Sequence, residues 1–286
     1  MLQMKDQVDI VLNDINKLPP MSNVVIKVMT MVQDPAVSIH DLAMEISRDP
    51  AITASILKLS NSAYYRASKP IRTVQEALMT LGIKVVKEII ILTASKVILN
   101  KDLRGYQLDA EAMWLHSLVV AELSAKIAHS KKLNVSKDLV FTAGLLHDLG
   151  KVILAQFFPQ VLFKIKTELK TSKESFTVVE KKYFGYDHQE VGMKTLKMWN
   201  FPDELTEVVG HHHDPENAKN FPLLTSIVHI ANTIAIISGV GIDIGGISHD
   251  LSEFALNITG VTDKDIEEYY LTIPELEKSI SELQSI

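Results

Sequence analysis

The sequence contains no cysteine among its 286 residues. This absence excludes disulfide bonds, thiolate metal ligands and a cysteine nucleophile, and it is typical of a cytoplasmic protein. The chain also lacks an excess of positive charge, since its formal net charge is -6 at pH 7, with lysines and arginines scattered among acidic residues. We therefore expect no general attraction for nucleic acid or for an anionic membrane.

Targeting and membrane signals are absent as well. The first residues lack a basic segment followed by an apolar one, so no secretory signal is predicted. Residues 220–242 contain no Asp, Glu, Lys or Arg and are long enough to span a bilayer. They include His229 and Asn232, however, which would be costly in hydrocarbon. A helix buried inside a large α-helical protein is the better interpretation, and no membrane association is predicted.

The composition predicts a sizeable packed core, because 47% of the residues are hydrophobic and 22% are charged. The apolar residues recur at the spacing of a helix rather than in the alternation of a strand. Asp49 and Pro50 are typical of an N-cap followed by proline in the first turn, and residues 73–76 and 177–180 fit capping boxes. Gly185 is expected to end the helix that the second box begins.

Two further helix starts lie close to histidines. Asp187 is predicted to cap a helix with His188 in its first turn, and residues 201–203 (Phe-Pro-Asp) to open the helix that leads to residues 211–213 (His-His-His). Strand signals are weak, because the apolar run at 89–92 lies inside a longer segment of helical periodicity. The predicted class is all-α.

The ten histidines of the chain concentrate around one candidate centre. His147 and Asp148 are adjacent within an apolar stretch, so an imidazole and a carboxylate can approach one metal ion from two directions. The other candidate ligands are His116, His188, His211, His212, His213 and His229. Such nitrogen and oxygen donors suit Fe, Mn, Zn, Ni or Co, and a bound metal can lower the pKa of water to about 7. For His40, His129 and His249 we predict hydrogen-bonded core positions instead.

Several motifs in a fixed order carry a resemblance to a known family. They are Leu18-Pro19-Pro20, Ile46-Ser47-Arg48-Asp49-Pro50, Leu59-Ser60-Asn61-Ser62-Ala63-Tyr64-Tyr65, and the stretch from Ala77 to Leu81-Gly82. The chain resembles the HDOD family, the HD-related output domains of bacterial signalling proteins, from about Leu12 to about Leu256. The family is related to the HD phosphohydrolases and to the HD-GYP cyclic-di-GMP phosphodiesterases. The resemblance implies a helical HD-like bundle with an additional N-terminal helical subdomain.

The resemblance also implies roles for particular residues. His116 matches the leading ligand histidine, His147 and Asp148 the pair that gives the HD superfamily its name, and His188, His212 and His213 the later ligands. Asp148 would bridge two metal ions. Lys151 matches the lysine that contacts phosphate in active relatives.

Asn232 departs from the pattern, because an active HD enzyme has its last aspartate ligand at this position. One implied metal position keeps Asp148 and the three later histidines, whereas the other consists of His116, His147, Asp148 and Asn232. An amide oxygen adds no charge to hold a divalent cation, so one ion is expected rather than two. His229 lies one helical turn from Asn232 and is a candidate substitute ligand, and His211 is expected to face solvent.

Three functions from different classes remain open. The first is a cytoplasmic bacterial signalling protein that acts by binding a signalling partner and keeps a partly preserved metal site without efficient hydrolysis. The second is a metal-dependent phosphohydrolase for a nucleotide or phosphoester, in which Asp148 holds the metal that activates water and Lys151 binds phosphate. The third is an oxygen-dependent di-iron enzyme that needs both metal positions. The Gly-Tyr-Pro signature is missing after His213, so cyclic-di-GMP hydrolysis is not expected.

The predicted organisation has three segments: an N-terminal helical part at residues 1–103, an HD-like core at 104–265 and a C-terminal helical extension at 266–286. The first boundary rests on polar residues and a glycine at 100–105, between two apolar segments. In the extension, Leu276, Ile280 and Leu283 share one helical face, so it is expected to dock on the body or on a second copy in a homodimer. Glycines at 239, 241, 245 and 246 predict a flexible turn rather than a phosphate-binding loop.

Overall fold

The computed structural model describes residues 3–14, 22–32, 34, 36–62, 70–99, 103–245 and 251–284. Several predictions fall outside these residues. They concern Leu18-Pro19-Pro20, Ala63-Tyr64-Tyr65, residues 100–102, Gly246, His249 and the last two residues, 285–286.

The described chain is built from α-helices, and no strand occurs within it. The helices α1 to α15 span Met4–Leu12, Asn23–Met31, Ile39–Ile46, Pro50–Ser60, Val74–Leu99, Ala110–Ser130, Lys137–Leu146, Leu149–Phe157, Pro159–Leu169, Phe176–Phe184, His188–Met198, Asp203–His211, Pro222–Ile237, Glu253–Thr259 and Asp263–Gln284. Short 3-10 turns occupy Arg104–Tyr106 and Pro215–Asn217. The all-α prediction is confirmed, including the apolar run at 89–92, which lies within α5.

Several predicted helix starts are present. The Asp49 side chain accepts hydrogen bonds from two backbone amides at the start of α4, and Pro50 occupies the first turn. Asp187 caps α11 through a capping box with Glu190. At α10 the predicted capping box is wrong: the helix begins earlier, at Phe176, and the Glu180 carboxylate turns to another partner.

The chain divides into two compact units. The first contains the described residues within 1–19 and 99–276, and the second contains those within 20–98 and 277–286. In the second unit, α5 is interrupted at Gly82, whose φ of 85° is a left-handed value that glycine adopts without a steric penalty. The predicted segments 1–103, 104–265 and 266–286 remain a prediction.

Helix α13 belongs to the first unit and is buried from Leu224 to Ile236. It packs against α6, α7, α12 and α14. Within the described part of the chain, no helix combines the length and the apolar character needed to cross a membrane.

Helices α8 and α11 approach each other closely, because each has a glycine at the crossing point. A Cβ atom on Gly150 would lie 1.8 Å from the backbone oxygen of His188, and one on Gly192 would lie 3.2 Å from the Gly150 nitrogen. The backbones therefore meet at a distance that only glycine allows. This contact holds the start of α8 beside His188.

Candidate metal centre

His147 and Asp148 form the junction between α7 and α8, since α7 ends at Leu146 and α8 begins at Leu149. Both side chains are fully buried. Asp148 occupies the N-cap position of α8, where the helix dipole favours a negative charge. The junction thus presents an imidazole and a carboxylate to the interior of the first unit.

Two groups of side chains meet at this carboxylate. Within each group, one ligand atom from every residue lies within 4.8 Å of the others. The first group contains Asp148, His188, His212 and His213, and the second contains His116, His147 and Asp148. The structure therefore brings together six of the eight histidine and aspartate residues that the sequence nominated, and these groups can hold a metal ion.

Four of the histidines have an acceptor next to Nδ1. The partners are the Val240 oxygen for His116 at 2.9 Å, the Gly144 oxygen for His147 at 2.7 Å, the Glu180 carboxylate for His188 at 2.6 Å and the Val209 oxygen for His212 at 3.0 Å. Because these acceptors have no proton to give, Nδ1 carries the proton in each ring and donates it. In the neutral form of each ring, the lone pair is then left on Nε2, the nitrogen that faces the centre.

The Nε2 atoms approach one another closely. His116 and His147 are 3.3 Å apart through their Nε2 atoms, and His188 lies 3.3 Å from His212 and 3.1 Å from His213. Two nitrogen lone pairs at this distance repel each other unless a proton or a metal ion lies between them. The Asp148 Oδ1 atom is also buried without a hydrogen-bond partner among the described residues. This donor set fits a divalent transition metal.

Burial sets the protonation of the imidazoles. Burial and the neighbouring His147 lower the pKa of His116 to about 4, and burial holds the pKa of His212 well below its usual range. Burial acts the same way on His188, but the Glu180 carboxylate outweighs it and raises the pKa of this imidazole. His116 and His212 are therefore neutral at pH 7, which is the form that binds metal.

The Asp148 carboxylate is ionised although it is buried. Lys151 and His147 hold its pKa well below its usual range, against the effect of burial. Lys151 Nζ donates to Asp148 Oδ2 at 2.8 Å. The same ammonium lies 2.7 Å from Asp243 Oδ2, in an ion pair that does not meet hydrogen-bond geometry. These two carboxylates outweigh burial and raise the pKa of Lys151, whose side chain is 2% exposed.

A known protein family matches the part of the chain that contains both groups of metal-ligating residues. The HDOD domain matches residues 18–215, more than half of the chain. The chain belongs to the HDOD family. The matched HDOD range includes every histidine of the two groups, but it ends before α13 and therefore before Asn232 and Asp243.

Solved structures share this HDOD fold. An HDOD domain protein of unknown function from Geobacter sulfurreducens is 25% identical, with a TM-score of 0.71 over 99% of this chain and 96% of that one. A candidate signal transduction protein from Marinobacter aquaeolei VT8 is 19% identical, with a TM-score of 0.74 over 99% of this chain and 61% of that one. A candidate phosphohydrolase from Shewanella amazonensis SB2B is 21% identical, with a TM-score of 0.66 over 91% and 97%. The chain spans less than half the length of the curated relatives it matches.

Sequence reasoning missed three side chains around this HDOD centre. Glu180 accepts hydrogen bonds from the His188 backbone amide and from its Nδ1, while Tyr106 donates to the other Glu180 oxygen at 2.7 Å. Asp243 is the second partner of Lys151. Glu180 was predicted to cap a helix, so its contact with His188 was missed. No pattern in the neighbouring sequence singles out Tyr106 or Asp243.

His229 is not a substitute ligand, and that hypothesis is wrong. Its Nδ1 donates to the His212 backbone oxygen at 2.9 Å, and its Nε2 accepts the Ser252 backbone N–H at 3.0 Å. Both ring nitrogens are therefore engaged. Asn232 is buried on α13, and its Oδ1 has no hydrogen-bond partner in the described part of the chain.

The remaining histidines lie outside the two groups. His211 is 30% exposed, and its Nδ1 lies 3.2 Å from the Asp214 carboxylate. His40 and His129 are exposed, so the prediction that they occupy the core is wrong, although neither belongs to a metal-ligating group.

Proposed function

We propose that this HDOD protein is a regulatory signalling protein that binds a protein partner and holds one divalent transition-metal ion between Asp148, His188, His212 and His213. In this function the metal stabilises the partner-binding form of the protein, and efficient hydrolysis is absent. The family and the signalling relative of similar fold support the class. The buried ion pairs of Lys151 with Asp148 and Asp243 argue against catalytic hydrolysis.

The position of Lys151 is the observation that carries this proposal. A lysine that binds a phosphate group must present its ammonium to the substrate. Here the ammonium is buried between Asp148 and Asp243, and both carboxylates lie within 2.8 Å of it. A phosphoester would have to displace Asp243 and leave that buried carboxylate without a counter-charge, which is costly.

The donor atoms of the two groups also support a single metal ion. The group around Asp148 Oδ1 offers four ligands, three of them imidazoles, and Oδ1 has no other partner. At the other group, the resemblance to HD enzymes implies an aspartate at position 232, and the neutral Asn232 amide is a weaker ligand for a divalent ion.

Hydrolysis and a genetic phenotype together test this proposal. The untagged protein, loaded with Mn²⁺ or Fe²⁺, is assayed on a nucleotide and phosphodiester panel beside Asp148→Ala. We expect no turnover above that of the variant. In a deletion strain, Lys151→Met/Asp243→Asn is expected to restore the signalling phenotype, because a regulatory protein does not need this lysine for phosphate and the second change leaves no unpaired carboxylate at position 243. Turnover that disappears in both Asp148→Ala and Lys151→Met/Asp243→Asn would contradict the proposal.

A metal-dependent phosphohydrolase is the second candidate, and the convergence of imidazole Nε2 atoms on one carboxylate favours it. A bound divalent ion would lower the pKa of water to about 7 and supply hydroxide. The chain would hold that ion through Asp148 and its histidines. Lys151 could orient a phosphate only after separating from Asp243, so hydrolysis in this case should increase in Asp243→Asn.

A further inference from the structure

The two oxygens of the Asp148 carboxylate have different surroundings. Oδ1 faces the Nε2 atoms of His188 at 3.5 Å and His212 at 3.6 Å and has no hydrogen-bond partner in the described chain. Oδ2 faces the Nε2 atoms of His147 at 3.3 Å and His116 at 3.6 Å. On this second side, a positively charged side chain of the protein already contacts the carboxylate.

That cation is the ammonium of Lys151, which lies 2.8 Å from Oδ2. The lysine is built into the site rather than resting on its surface. Its side chain is 2% exposed, and its Nζ also contacts Asp243 and lies 5.9 Å from the centre of the Phe176 ring. Asp243 is itself held in place, since its Oδ1 accepts the Gly245 backbone N–H at 2.7 Å.

A divalent ion on Oδ2 would share this oxygen with the ammonium. The two cations would then repel each other across a buried site, where water screens charge weakly. Among the described residues, this second group contains no carboxylate besides Asp148 to offset that repulsion. Oδ1 carries no such competitor, so the two sides of one carboxylate differ in the cation they can accept.

We infer that the Lys151 ammonium takes the place of a second metal ion in the group formed by His116, His147 and Asp148. The lysine neutralises Oδ2 and excludes a divalent ion from this side, and Asp243 holds the lysine there. The single metal ion of the proposed function then binds only on the Oδ1 side. This inference deepens that function by assigning a cause to the single ion.

Removing the ammonium together with its second carboxylate should open the closed side. The double variant Lys151→Met/Asp243→Asn keeps an unbranched chain of similar length and an acceptor for Gly245, and it leaves no unpaired charge at position 243. Metal content is measured by mass spectrometry on untagged, folded protein after dialysis against Mn²⁺ or Zn²⁺. We expect the double variant to bind one more ion per chain than the wild type.

Two control variants bind as many ions as the wild type if the inference holds. Lys151→Arg keeps a cation beside Oδ2. The matched pair Lys131→Met/Asp265→Asn removes a 2.9 Å ion pair elsewhere in the same unit. A gain in the first double variant alone would show that loss of an ion pair in general does not create the extra site.

The outcomes separate this inference from the proposed function. A wild-type protein that binds no metal contradicts the proposed function, whereas a double variant that binds no more ions than the wild type contradicts the inference. If the double variant does not fold, wild-type crystals grown with Mn²⁺ decide by anomalous scattering. We expect one peak, beside His188, His212 and His213, and a peak held by His116 and His147 would overturn the inference.

Discussion

At the scale of single residues, the centre depends on which nitrogen of each histidine keeps its proton. Backbone oxygens select Nδ1 in His116, His147 and His212, and a carboxylate selects it in His188. The identity of these histidines could be predicted from the sequence, because they cluster around the adjacent His147 and Asp148 and match the ligand pattern that the family resemblance implies. The nitrogen that carries the proton could not be predicted, since it depends on the folded backbone geometry, and the acceptor of His116 lies 124 residues along the chain at Val240.

The Glu180 carboxylate should strengthen metal binding although it does not face the metal. In Glu180→Gln the neutral amide can still accept from His188, but it no longer increases the electron density on the imidazole. Loss of such a partner typically lowers metal affinity by about 10–100-fold. Competition with a chelating dye measures the affinity. Glu168→Gln, which changes a carboxylate bound to Lys182 and Tyr183, is the control, and equal affinity in both variants would refute the role of Glu180.

The depressed pKa of His116 should make the metal-free protein sensitive to acid. The folded state holds this imidazole neutral down to about pH 4, whereas the unfolded chain takes up the proton near pH 6.5. Because the unfolded state then binds more protons, the contribution of His116 is fully present above pH 6.5 and is lost as the pH falls to 4. The shift corresponds to about 3 kcal/mol.

Urea unfolding of chelator-treated protein from pH 7 to pH 4 measures this effect. His116→Asn keeps a donor for the Val240 oxygen and has no titrating group. We therefore expect the free energy of unfolding of the wild type, relative to this variant, to decrease steadily toward pH 4. A difference that does not change with pH would show that His116 is not buried in the neutral form.

At the scale of helices, local signals predicted where several elements begin, because a cap or a proline acts on its own helix. Asp49 and Asp187 are such cases. The same reasoning was wrong for Glu180, which fits a capping box but bonds to His188 across a turn. Asp243 could not be predicted either, since it reaches Lys151 from a glycine-rich turn far along the chain.

The crossing of α8 and α11 should tolerate no side chain at Gly150. A Cβ atom there would lie 1.8 Å from the His188 backbone oxygen, and a backbone atom cannot move aside without shifting the helix. We expect Gly150→Ala to lower the free energy of unfolding by about 3 kcal/mol or more and to weaken metal binding. Gly210→Ala is the control, because its Cβ would meet the flexible Met193 side chain. Chemical denaturation compares the two, and equal stability would contradict the close approach.

At the scale of the whole molecule, the HDOD match crosses both compact units, whereas the two metal-ligating groups found in the described chain lie in the unit that contains residues 99–276. The all-α class could be predicted because the helical spacing of apolar residues can be read directly from the sequence. The two units could not, since the first combines the N-terminal residues with a distant segment. The partner-binding surface remains part of the proposal.

Metal analysis of the untagged wild-type protein tests the central claim most directly. Mass spectrometry after purification and dialysis gives the number of ions per chain, and Asp148→Ala serves as the reference. We predict one divalent ion per chain in the wild type and none in the variant. Either no ion or two ions in the wild type would contradict a single metal held on the Oδ1 side of Asp148.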